Sequence, residues 1–254
     1  MFLYDLTWQQ VSNLDRSTVV LIPFGAVEQH SLHLPLGTDS IIGEAIARRL
    51  EREFPEQVLV LPITWLGCSR HHMDFPGSLT AEIETFIGVG EQLVSSMADH
   101  GFRNFILLNS HGGNINKVAL MAEKLRYRPG PVLKVAAVTY WHLIGKEIQD
   151  IRETPLGGMG HACELETSIM LAVMPELVRQ DLMEADGPEN RSQFEGSDMF
   201  APGTVTVAKP FKELSRHGGI GDPRQASKEK GEKILSVIVA KLAGVVREIQ
   251  TGNL

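Results

Sequence analysis

The stretch Thr18–Asp39, TVVLIPFGAVEQHSLHLPLGTD, constrains this chain more than any other. It opens with an apolar run, Thr18 to Phe24, too short to fill a helix core and rich in Val and Ile, which reads as a buried strand. Three metal-competent side chains follow: Glu28, His30 and Asp39. Glu28 and His30 are two apart, so extended backbone projects them to the same side. Asp39 stands directly before an apolar-periodic segment (Ile42, Ala45, Ile46, Leu50), where a helix begins. A carboxylate, an imidazole and a second carboxylate at the carboxyl end of a buried strand suit one or two divalent metals. On this stretch alone, two ordinary loop polars and a helix N-cap at Asp39 explain the same residues.

The rest of the chain supplies the context. Residues 40–53 read as an amphipathic helix, and Val58 to Ile63 as a second apolar strand. Residues 62–79 have no clear period and carry His71 and His72; a loop that long inside a compact domain is usually functional. Thr80 to His100 reads as a helix closed by Gly101, and Phe105 to Leu108 as a third strand running into Asn109-Ser110-His111-Gly112-Gly113-Asn114. A helix from Ile115 to Tyr127, a turn at Pro129 to Pro131 and a fourth strand at Leu133 to Val138 complete the alternation. Strand and helix alternating at this spacing predict an α/β fold: a mainly parallel sheet with helices on both faces, a three-layer sandwich. Ligands in such sheets bind beyond the carboxyl ends of the strands, where Glu28, His30, Asp39 and His111 all fall.

Beyond residue 150, Gly157-Gly158-Met159-Gly160 opens a predicted helix from His161 to Met174. Residues 183–224 are polar and weakly periodic; only Thr204 to Ala208 alternates like an edge strand. Lys228 to Ile249 reads as a closing amphipathic helix whose charged face is most simply solvated. Without internal repeat or linker, residues 1–254 are expected to form a single domain.

Composition narrows the function. With 43% hydrophobic and 22% charged residues the chain reads as an ordinary globular protein. A formal charge of −7 without a basic block argues against nucleic acid as a partner. Two cysteines, Cys68 and Cys163, are too few for a disulfide framework or a cysteine-only zinc site. No apolar stretch approaches the ~20 residues of a membrane span, and no basic and apolar leader follows Met1, so a cytoplasmic location and a small-molecule substrate are expected.

The collected candidate ligands are Glu28, His30, Asp39, His111 and Glu164, a mixture suited to Zn²⁺, Mn²⁺ or Fe²⁺. A carboxylate such as Asp39 can bridge two ions ~3.5–4 Å apart, which acidify a bound water and polarise a carbonyl. On the predicted helix Glu164 lies ~60° from His161 and Glu166 ~140° away, so Glu164 is the better neighbour. His161, beside the ligands, would give a proton to a leaving nitrogen.

These motifs resemble a known family. The run GAVEQHSLHLPLGTD resembles the signature of the creatininase family of amidohydrolases: a Gly, a Glu-Gln-His, a Pro-His-Leu-Pro and a Gly-Thr-Asp. HHMDFPGSL, NSHGGNINK, GHACELETS and GIGDPRQASKEKG match further landmarks in order, so the resemblance covers essentially the whole chain. It implies an α/β fold with a mainly parallel sheet, a dinuclear metal centre with two divalent ions per chain, and a homo-oligomer, usually a hexamer built from dimers. By the match Glu28, His30, Asp39 and His111 fall on the family's metal ligands, and His161 on a histidine proposed to shuttle protons. True creatinine hydrolases carry Tyr-Glu after the motif histidine, the Glu being a ligand; here Gly112 and Gly113 stand instead. Glu164 is then expected to supply the missing carboxylate, and creatinine to be a poor substrate. The resemblance thus implies hydrolysis of a C–N bond in a small, perhaps cyclic, amide through a metal-activated water. The alternative is another bond on the same site: a formamide, a peptide, or a C–C or ring bond of an inosose-like substrate.

Among the remaining residues, His72 is a candidate substrate contact. Trp141 is a candidate pocket wall, with core packing as the alternative. His33 reads as a brace for the metal loop. Cys163 reads as a small packed residue. His71, His100, His142 and His217 receive no role.

Overall fold

A computed structural model of the chain describes residues 1–188 and 192–254. In chain order its strands and α-helices are α1 (Trp8–Ser12), β1 (Val19–Phe24), α2 (Thr38–Glu53), β2 (Val58–Val60), α3 (Ile83–Asp99), β3 (Asn104–Asn109), α4 (Ile115–Tyr127), β4 (Lys134–Thr139), β5 (Met159–His161), α5 (Glu164–Val173), α6 (Phe211–Leu214), β6 (Ile220–Gly221) and α7 (Lys228–Thr251). The four main strands form a parallel sheet in the order β2-β1-β3-β4, while β5 and β6 form a short antiparallel pair.

The central position of β1 follows from its composition. All six of its residues are buried, as a strand covered on both faces requires. Alternation sends Val19 and Leu21 into a core with Ile42, Ile46 and Leu50 of α2, Leu165 and Ile169 of α5, and Ile234, Ile238 and Leu242 of α7. Val20, Ile22 and Phe24 enter a second core with Phe86 and Val94 of α3 and Val118 and Met121 of α4. Each large side chain so buried contributes roughly 1.5–3 kcal/mol. Two cores on opposite faces of one sheet make the expected three-layer α/β sandwich. No helix among the described residues is long and apolar enough to cross a membrane.

Three local expectations are corrected. The strand expected to reach Ile63 ends at Val60, just before Pro62, which has no N–H to continue a ladder. Thr204 to Ala208 is not a strand: it runs irregular and exposed, and Val205 N–H donates to the Phe194 carbonyl at 3.0 Å without a ladder forming. The helix expected from His161 starts at Glu164 instead, because His161 ends β5 and Ala162 turns the backbone left-handed with φ 51°.

Candidate metal centre

The sheet delivers its loops to one place. Phe24, Asn109 and Thr139 are register partners, so β1, β3 and β4 end at the same level. Beyond β1 the chain carries Glu28 and His30, then reverses at Ser31, which adopts φ 57°. Asp39 is the second residue of α2, and its side chain does not cap the helix. Ser110 ties α2 to β1 by donating to the carbonyls of Asp39 (2.8 Å) and Phe24 (3.0 Å). His111 follows β3 with its N–H held by Asn109 Oδ1 at 3.1 Å. Glu28, His30, Asp39 and His111 are each at most 2% exposed, and Glu166 of α5 joins them at 2%.

The hydrogen bonds settle which ring nitrogens carry protons. His30 Nδ1 donates to the Glu28 carbonyl (3.1 Å) and His111 Nε2 to the Cys68 carbonyl (3.2 Å). The opposite nitrogens point at carboxylates, where each holds either a second proton or, as a lone pair, a cation. His30 Nε2 lies 3.4 Å from Asp39 Oδ1 and 3.9 Å from Glu166 Oε1. His111 Nδ1 lies 3.2 Å from both Glu28 Oε1 and Asp39 Oδ2. Lone pairs facing at such distances repel unless a proton or a cation stands between them. Glu28 Oε2, His30 Nε2 and Asp39 Oδ2 are buried without a hydrogen-bond partner among the described residues. Tying the far imidazole nitrogen to a backbone carbonyl is how proteins orient histidine ligands. This donor set fits divalent metal. Among the described residues three groups bring ligand atoms within 4.8 Å of one another: His30, Asp39 and Glu166; Glu28, His71 and His111; and Glu28, His30 and His161.

The electrostatics report the same negative field. Burial pushes His30 down, but Asp39, Glu166 and Glu28 outweigh it and hold the imidazole at about 9. His111 is likewise raised well above its ordinary value, burial being overcome by Glu28 and Asp39. Glu166 is raised to about 7, by burial and by Asp39 and Glu28 against the pull of His30. His161 moves the other way: burial, then His30 and His72, push it well below the ordinary range. A pocket that draws protons onto imidazoles this strongly will draw metal cations in their place.

The structure places Glu164, the expected carboxylate, apart from the cluster. Glu164 Oε1 pairs with Lys230 Nζ at 2.5 Å, and Oε2 accepts from Thr154 N (2.9 Å) and Oγ1 (2.5 Å), away from the cluster. Glu166 faces His30 and Asp39 instead, its Oε2 accepting from Ala162 N at 2.6 Å. The angular comparison with His161 fails because His161 is not on the helix. His161 itself lies in the cluster, Nδ1 4.0 Å from Glu28 Oε1. His72 Nε2 is 3.1 Å from the same oxygen, and Trp141 is buried against Tyr140, with both His72 and Trp141 lining the cavity above the cluster. His33 Nε2 contacts Thr167 Oγ1 at 2.9 Å, tying the metal loop to α5.

Sequence reasoning weighed Glu166 and set it aside, gave His71 no role, and did not single out Gln29 or Phe211. Phe211 packs on His72 (4.1 Å between centroids) and His161 (5.0 Å), roofing the rings from a segment with no sequence signal. His71 stacks on His111 at 5.7 Å. At Gly113 a Cβ would collide with the Cys68 carbonyl, His111 Nε2 and His71, so this backbone admits no side chain there. At Gly112 a Cβ would meet nothing within 4 Å, and the cavity stays open, with a volume of about 440 Å³.

Comparison with known proteins gives consistent matches. The family model described as creatinine amidohydrolase matches residues 4–246. The creatinine amidohydrolase of Pseudomonas putida is 28% identical, over 98% of this chain and 96% of its own. The mycofactocin precursor peptide peptidase of Mycobacterium ulcerans is 28% identical, over 87% of this chain and 81% of its own. A creatininase crystal structure in a manganese form superposes with a TM-score of 0.80 at 28% identity, covering 97% of each chain.

Proposed function

The chain belongs to the creatinine amidohydrolase family, and from that premise we propose that it is a metal-dependent amidohydrolase cleaving a C–N bond of a small amide other than creatinine. The observation that carries this reading is the set of buried atoms, Glu28 Oε2, His30 Nε2 and Asp39 Oδ2, that have no hydrogen-bond partner among the described residues and crowd against one another at the floor of an open cavity. Glu28, Asp39 and His111 would hold one divalent ion and His30, Asp39 and Glu166 a second, with Asp39 placed between both imidazoles. Bound there, such ions supply an electrophile for the amide carbonyl and a water acidified toward pKa ~7.

The chain's own groups do the rest. His161 keeps its proton on Nε2, which donates to the Gln29 carbonyl at 2.7 Å, so Nδ1 presents a lone pair beside Glu28. Burial, His30 and His72 keep the ring neutral at neutral pH, so this lone pair is free to take the proton of the attacking water and return it to the leaving nitrogen. Phe211 and Trp141 wall the cavity and keep bulk water from these rings. The volume lies within the ~300–1,000 Å³ usual for small-molecule sites. With glycines where creatinine hydrolases carry Tyr-Glu, it favours a larger amide than creatinine. The test is to incubate zinc- or manganese-loaded protein with creatinine, cyclic amides, N-formyl amines and short peptides. Metal-dependent hydrolysis of one of the others, lost in Glu28→Gln, is expected. Fast turnover of creatinine alone, or no hydrolysis by fully loaded protein, would overturn the reading.

A further inference from the structure

We propose that Gln29 is a positioning residue that fixes His72 as a hydrogen donor and His161 as a hydrogen acceptor toward the same carboxylate, Glu28. The Gln29 side chain is oriented by two backbone groups. Its Oε1 accepts from Ser31 N–H at 2.9 Å, and its Nε2 donates to the Gly218 carbonyl at 2.9 Å. A flipped amide would set NH₂ against the Ser31 N–H and oxygen against the Gly218 oxygen, so the assignment is forced. The second amide hydrogen then points at His72 Nδ1, 2.7 Å away. An amide NH₂ can only donate, so His72 Nδ1 is a lone pair and the ring's proton sits on Nε2, 3.1 Å from Glu28 Oε1.

The backbone of the same residue sets the second ring. The Gln29 carbonyl accepts from His161 Nε2 at 2.7 Å, which leaves His161 Nδ1 bare, 4.0 Å from Glu28 Oε1. Both rings carry their proton on Nε2, yet they offer Glu28 opposite faces. The 3.3 Å approach between the amide nitrogen and His161 Nε2 is donor against donor and adds no bond. The arrangement is built in from several sides. Gln29 N–H donates to buried Ser78 Oγ (3.1 Å), Ser31 holds φ 57°, and Gly218 holds φ +90° where a Cβ would overlap the Gln29 amide. His72 therefore steadies Glu28 and cannot offer Nδ1 to a metal, while His161 keeps a proton-accepting nitrogen toward the cavity.

The inference rests on the proposed hydrolysis only for the use made of the two rings; the proton positions can be read without turnover. The experiment records long-range ¹H–¹⁵N spectra of zinc-loaded protein with ¹⁵N-labelled histidine, the rings assigned by His72→Gln and His161→Gln. Both rings are expected with protonated Nε2 and bare Nδ1. In Gln29→Glu the carboxylate accepts, so the His72 Nδ1 signal should move to the protonated position, while His161 keeps its proton on Nε2 because the backbone carbonyl that holds it is unchanged. Gln29→Leu and Gly218→Ala remove or displace the amide and should shift His72 toward a tautomer average. A His72 signal that keeps its bare Nδ1 in Gln29→Glu or Gln29→Leu overturns the proposal, as does a protonated Nδ1 in the unmodified protein. Zinc content and amide hydrolysis measured on the same samples separate the two claims: an intact histidine pattern without hydrolysis counts against the function alone.

Discussion

Glu164 and Glu166 sit two residues apart on α5, both buried, and face opposite fates. Glu164 is answered within the protein: Lys230 supplies the cation, and Thr154 and the Glu153 N–H supply donors, holding its carboxyl below the usual range against burial. Glu166 looks into a cluster where carboxylates outnumber cations, and its carboxyl is raised to about 7. A buried charge whose partners are complete is structural; one whose partners are missing marks a place for an ion from outside. The difference between these two regions carries more functional information than the type or burial of either residue.

The comparison can be broken most sharply by removing a member of the unanswered cluster. Asp39→Asn or Glu28→Gln should abolish stoichiometric zinc or manganese binding, lowering affinity by more than the roughly 100-fold that outer partners cost. Metal analysis after dialysis reads this, and unchanged content would remove that residue from the centre. Glu166→Gln should empty one of the two proposed positions, while Glu164→Gln leaves metal content unchanged. The reverse result would return the ligand role to Glu164.

The answered region should respond in stability instead. Lys230→Met strands Glu164, which is fully buried, and should cost about 2–4 kcal/mol in urea unfolding, between a lost hydrogen bond to a charge and a broken buried pair. Metal bound per folded chain should stay constant.

A comparable but pH-dependent effect should appear in the metal-free protein. His30 is raised from 6.5 to about 9, so the stability it contributes is full below pH 6.5 and lost as pH rises through 9. His111 is raised too and acts in the same sense. Metal-free protein should therefore become less stable from pH 6.5 to 9, by up to about 3 kcal/mol for His30. Metal binding should strengthen over the same range as the ions replace protons. A metal-free Tm that rises with pH across this window would contradict the reading of the field.

The smallest effect concerns the turn that separates the two glutamates from His161. Ala162 occupies left-handed backbone at φ 51°, so Ala162→Gly should stabilise by roughly 0.5–1 kcal/mol without altering metal content. A loss of stability would show that the Ala162 methyl packs more usefully than its backbone costs.

Local apolar pattern was enough to dictate the sheet and the address of the site. The apolar runs at Val19–Phe24 and Phe105–Leu108 are too short for helix cores and read as strands covered on both faces, and the helical periods between them favour parallel connections. That logic places Glu28, His30, Asp39 and His111 beyond strand ends, because each is tied to its strand by a few residues of chain. What lies farther from the sheet depends on packing between distant segments. Choosing between Glu164 and Glu166 depends on a single backbone turn at Ala162, since shifting a helix start by three residues rotates every side chain on it by ~300°. Lys230 and Glu164 are separated by 66 residues, and no local pattern announces that a lysine on an apparently solvated face turns inward to meet a buried carboxylate. Phe211, Gly218 and the Gln29 amide meet around the histidines only through contacts between segments far apart in sequence. Short-range periodicity encodes which face of an element is buried; which polar atoms find partners is settled by distances between distant segments, and in this protein that decides where the metal can go.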